Sequence, residues 1–125
     1  MEFKYDTKPT YIVITPATTH IDANMTAALR QNLQKTTGDG NDNYIIDLQN
    51  CTSADSSSLA QFIELHNECY ENSRSLVFTA IADGLLKQLK DENVADEIHI
   101  APTMQEAIDI VSMDILERDL LSEDD

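Results

Sequence analysis

The chain is short of positive charge, cysteine, glycine and long apolar runs, and each shortage excludes something. Eight Lys and Arg stand against 23 Asp and Glu in 125 residues, a formal net charge of −15. So acidic a chain repels phosphodiester backbones and anionic headgroups, which argues against broad electrostatic binding of nucleic acid or of an anionic membrane. Two cysteines, Cys51 and Cys69, cannot form a disulfide framework. No apolar run approaches the roughly 20 residues of a membrane span, and no charged-then-apolar leader precedes the first strand pattern. A cytoplasmic protein without direct membrane insertion is the expectation. Glycine is equally scarce, and Gly84, standing alone after Asp83, makes no phosphate-cradling loop.

What is present is patterned. The length suits one domain able to bury a core without metal or disulfide support. Strand patterns at Phe3 to Asp6 and Tyr11 to Thr15 read as a hairpin, followed by an irregular Pro16 to His20. Asp22 is placed to cap a helix over residues 23–35, where Met25, Ala28, Leu29 and Leu33 recur at helical spacing. Residues 36–43 are turn chemistry, Tyr44 to Leu48 a buried strand, and residues 58–72 a second helix. Leu76 to Ile81 is the most apolar strand; Asp83 opens a short helix that Asn93 ends in a left-handed conformation. Glu97 to Ile100 reads as a strand. Thr103 and Glu106 form a capping box for a last helix bearing Met104, Ala107, Ile108 and Val111. Strand–helix alternation implies an α/β fold: a mainly parallel, four- to five-stranded mixed sheet covered by about four helices. Residues 1–111 form the domain. Residues 112–125 are an acidic C-terminal extension, either a continuation of the last helix or disordered. Charge is unevenly spread, with 12 acidic and one basic side chain in residues 91–125 against 11 and seven before them.

The most informative stretch is Asp55-Ser56-Ser57-Ser58, which joins the Tyr44 to Leu48 strand pattern to a helix start. Hydroxyls there either cap the helix or receive a phosphate, because a helix N-terminus offers unpaired N–H groups and the positive end of the dipole. Ser58 and Gln61 have capping-box spacing, so one serine is expected to cap. Other candidates are weaker. His66 and Cys69 share a helix face and read as packing, not metal ligation; Cys51 has no basic surroundings to activate it; His20 and His99 have no visible partner. A hydrolase would need a base near the serines, and only Asp55 is close. No catalytic constellation, metal site or cofactor site is expected, and the protein reads as a non-enzyme.

The element order, with Ile21-Asp22 before the first helix, Ile45-Ile46-Asp47-Leu48 as a central strand and Asp55-Ser56-Ser57 before the second helix, resembles the STAS domain. That family is shared by sulfate transporters and anti-sigma factor antagonists, and the resemblance covers about residues 3–111. Ser58 stands where the family usually has glycine, and Thr19 where glycine often precedes the Leu-Asp pair. The resemblance implies an anti-sigma factor antagonist whose partners are a serine-kinase anti-sigma factor and a phosphatase. It places the phosphoacceptor at Ser57, with Ser56 and Ser58 as alternates. The implied docking surface is Asp22, Asp55, Ser56, Ser57, Ser58, Leu59 and Phe62. The alternative it carries is an unphosphorylated docking subunit of a membrane lipid or anion transport system.

Overall fold

Three strands apolar on both faces dictate a buried sheet, because no solvent-facing side remains to them. They are β2 (Ile12–Pro16), β4 (Tyr44–Asp47) and β6 (Leu76–Thr79). The computed structural model describes residues 2–35 and 43–123. Around those strands lie β1 (Phe3–Thr7), β3 (His20–Ile21), β5 (Ser53–Ala54) and β7 (His99–Ala101). The helices are α1 (Ala23–Lys35), α2 (Ser56–Glu71), α3 (Asp83–Asp91) and α4 (Met104–Glu123).

The main sheet is ordered β1-β2-β4-β6-β7. β1 is antiparallel to β2 in a hairpin, and the other pairs are parallel. The expected mixed, mainly parallel sheet is therefore found, with five strands in that sheet and four α-helices among the described residues. Alternation along each strand divides the core. Ile12, Ile14, Tyr44, Ile46, Leu76 and Phe78 meet α1, α2 and α3 on one face. Val13, Ile45 and Val77 meet Ala107 and Val111 of α4 on the other. Phe62 of α2 stacks on Phe78 at a centroid distance of 4.6 Å, locking helix to sheet.

Several boundaries differ from the sequence reading. The stretch expected to be irregular up to His20 instead ends in β3, which pairs in parallel with β5 as a separate two-stranded ribbon. Two residues per strand carry no readable alternation. β6 stops at Thr79, short of Ile81, because Ala80 adopts φ 58°, which no strand continues. The last strand is displaced to His99–Ala101 by a 3₁₀ turn over Ala95–Glu97. Asn93 takes the left-handed φ of 62° foreseen for a helix stop. Thr103 Oγ1 accepts from Glu106 N at 3.2 Å, one half of the expected capping box. The turn chemistry read in residues 36–43 lies, except for Asn43, outside the described residues.

Candidate functional site

The β3–β5 ribbon builds the site. Its parallel register sets His20 against Ser53 and Ile21 against Ala54, and Asp55 N donates to Ile21 O at 2.9 Å. The next residues of the two strands, Asp22 and Asp55, therefore begin α1 and α2 side by side. Two helix N-termini, each headed by a carboxylate, share one rim of the domain.

The two carboxylates do different things. Asp22 Oδ1 accepts from Met25 N at 3.0 Å, an N-cap as the sequence suggested. Asp55 occupies the N-cap of α2 but makes no side-chain cap bond. Its Oδ1 instead lies 2.8 Å from His20 Nε2, while His20 Nδ1 lies 2.7 Å from Ser53 Oγ. His20 thus has two partners that sequence reasoning missed, because both are more than thirty residues away along the chain. All three groups are exposed, so bulk water competes for each bond and the His20–Asp55 contact is worth at most about 1 kcal/mol. The hydroxyl, imidazole and carboxylate orient one another without forming an enclosed, desolvated centre.

The serines separate by burial. α2 begins at Ser56, two residues ahead of the expected start, which moves Ser58 into the first helical turn and makes it no cap. Ser58 is 2% exposed and its Oγ has no hydrogen-bond partner among the described residues. Ser56 and Ser57 are exposed. Leu59 and Phe62, included in the implied docking surface, are instead fully buried in the core, at i and i+3 on the face of α2 that meets the sheet. Of that surface, Asp55, Ser56 and Ser57 face solvent and Asp22 is half-buried. Ser57 also borders a groove of about 590 Å³ between α1 and α2, with Thr26, Arg30, Gln31 and Gln61. Arg30 is held along that groove by Glu64 and Glu68.

The cysteines are structural. Burial, assisted by Asp47, pushes the Cys51 thiol up to about 11, and its Sγ donates to Thr18 O at 3.3 Å. Burial likewise raises Cys69 to about 11, so neither supplies a thiolate at neutral pH. Away from the rim, Tyr70 Oη donates to Asp114 Oδ2 at 2.7 Å and lies 2.7 Å from His99 Nδ1, which gives His99 a partner as well. Burial and then the Asp114 carboxylate drive the Tyr70 phenol well above its ordinary range. His66 packs on both rings of that pair, consistent with its reading as a packing residue. Among the described residues no group of His, Cys, Asp and Glu is arranged to hold a metal ion, and no helix is long and apolar enough to cross a membrane.

A mixed sheet with three helices on one face, one on the other, and a serine-bearing helix start beside a capped neighbour defines an α/β domain class. The family model described as the STAS domain matches residues 4–107, and the chain belongs to that family. A search among curated proteins returned no match. Solved structures do match. A serine-to-glutamate variant of Moorella thermoacetica RsbS is 18% identical, with 94% of this chain and 99% of that chain covered at a TM-score of 0.73. The anti-sigma factor antagonist SpoIIAA in its unphosphorylated form is 17% identical, with 89% and 96% covered at 0.67. The murine anion transporter Slc26a9 is 15% identical at 0.64; 83% of this chain aligns with 18% of that one. At such identities the likeness is one of fold.

Proposed function

We propose that this protein is an anti-sigma factor antagonist: a non-enzymatic, cytoplasmic binding switch that docks on a serine-kinase anti-sigma factor and is released by phosphorylation of Ser57. A phosphatase restores the docking form. The observation that carries this reading is the separation of the serines. Ser57, which the family resemblance puts at the phosphoacceptor position, is exposed on the first turn of α2, whereas the competing Ser58 is buried.

The electrostatics support a switch without a change of fold. Phosphate adds about −1.5 to −2 charges and three acceptor oxygens. Within the domain that charge meets the N-terminus of α2, where the Asp55 carboxylate is turned away toward His20 and leaves the first-turn N–H groups unoccupied by a side-chain cap. At an interface the same dianion sits beside Asp55 and near Asp22, where desolvation and like-charge repulsion oppose docking. A loss of about 3 kcal/mol weakens binding roughly a hundredfold, since about 1.4 kcal/mol is tenfold.

Intact-mass analysis after incubation with the candidate kinase and ATP, followed by site mapping, tests the reading. Ser57→Asp is expected to lose docking and Ser57→Ala to dock constitutively. Equal docking by both variants would overturn the switch. The likeness to Slc26a9 favours a second reading, a docking module of a transport system. Unmodified Ser57 together with stable co-purification with transporter components would select it.

A further inference from the structure

The last helix is apolar on two sides, and only one of them is covered. Ala107 and Val111 are buried against the sheet. Farther along the same inner face, Asp114 Oδ2 accepts from Tyr70 Oη and from Ser75 Oγ at 2.8 Å. One turn on, Arg118 donates to Asn43 Oδ1 at 2.8 Å, to Ser75 Oγ at 3.1 Å and to Ser73 O. These bonds fix the rotation of α4, so the helix cannot roll to hide its other side. Met113, Leu116 and Leu120 are left 60%, 57% and 54% exposed. They stand at i, i+3 and i+7, the spacing of a single helical stripe.

We propose that this stripe docks an amphipathic helix of a protein partner whose apolar ridge is flanked by lysine and arginine. The charge around the stripe selects that occupant. Asp109 continues its line one turn earlier, and Glu117 and Asp119 flank it; all three are exposed. A basic ridge satisfies them, and an apolar helical stripe flanked by charge is the surface that pairing with a second helix buries. A second copy would bring the same carboxylates together, and an anionic lipid surface would be repelled by them. The stripe also lies apart from Ser57. It is on the opposite face of the sheet, and Arg118 ties its helix to Ser73 and Ser75, which precede β6, whereas α2 begins after β4 and β5 have ended. Docking here is therefore independent of the phosphorylation state proposed for Ser57.

The test uses the full chain and a synthetic helical peptide with leucines at i, i+3 and i+7 between lysines, against a scrambled peptide of the same composition. Calorimetry and backbone NMR are expected to show saturable binding of the first peptide, with shifts confined to residues 109–121. The double variant Leu116→Gln/Leu120→Gln, at exposed positions that leave the core intact, should weaken it at least about tenfold. Asp109→Asn/Glu117→Gln should weaken it and flatten its salt dependence. Ser57→Asp should leave it unchanged, so failure here is distinguishable from failure of the switch. The proposal is overturned by equal binding of the scrambled peptide, or by no saturation up to about 1 mM, the weak end of association. Sedimentation showing a dimer that Leu116→Gln/Leu120→Gln dissociates overturns it in favour of a second copy. Binding to phosphatidylglycerol vesicles overturns it in favour of a membrane.

Discussion

His20 Nε2 and Asp55 Oδ1 lie 2.8 Å apart, so the carboxylate at the head of α2 faces a neighbouring strand instead of the helix it begins. Asp22, one ribbon strand away, does the reverse and caps α1. The same residue type at equivalent positions thus has two roles, and they predict different costs. Asp22→Ala should lose a used cap, about 1 kcal/mol. Asp55→Ala should lose only an exposed contact with His20, a few tenths of that value. Urea unfolding of the two variants measures the difference, and equal costs would show that Asp55 caps after all.

Position 58 should behave opposite to position 57. Removing an unpartnered buried hydroxyl by Ser58→Ala is expected to leave stability unchanged or raise it by up to about 1 kcal/mol. Ser58→Asp would bury an unpaired charge and should cost about 3 kcal/mol or more. Ser57→Asp, exposed at a helix N-terminus, should fold normally. Thermal melts of the three variants check this pattern.

Acid should destabilise the domain through His66. Burial first, and the nearby His99 less strongly, hold its pKa below the ordinary 6.5, while Asn67, Asp114 and Glu97 act the other way. The unfolded chain then binds the proton more readily, so this contribution is complete above pH 6.5 and is lost as pH falls through 6.5 toward the folded value. Unfolding measured between neutral pH and about pH 5 should show the decline, and His66→Phe should flatten it.

Alkali should act through the cysteines. Both thiols are raised from 9.0 to about 11 by burial, so the folded state holds protons that the unfolded chain releases. Stability from this source is complete below pH 9.0 and is lost as pH rises toward 11. A thiol reagent at pH 8 should label Cys51 and Cys69 only at the rate of unfolding, a rate that denaturant accelerates.

Arg118→Ala should loosen the second half of α4 by about 1–3 kcal/mol, because buried Ser75 and Asn43 lose a charged donor. Hydrogen exchange should report lost protection beyond Val111, with protection at Ala107 retained. Uniform loss along α4 would assign Arg118 a global role.

The sheet and its covering helices were legible in the residue pattern. Val13, Ile45 and Val77 sit in apolar strands, Met25, Leu29 and Leu33 repeat at helical spacing, and Asp55-Ser56-Ser57 marks a helix start; such patterns arise from near neighbours along one element. Tertiary structure settled which serine faces water, since the packing of α2 buries Ser58 and leaves Ser56 and Ser57 exposed. It also decided the partners of His20, which a two-residue ribbon brings to Ser53 and Asp55 across more than thirty residues. The side of α4 left uncovered was settled the same way, by Asp114 and Arg118 bonding to Ser75 and Asn43 from distant segments. Periodicity shows that a helix has apolar sides; which of them is buried depends on contacts that form only when the chain has closed upon itself.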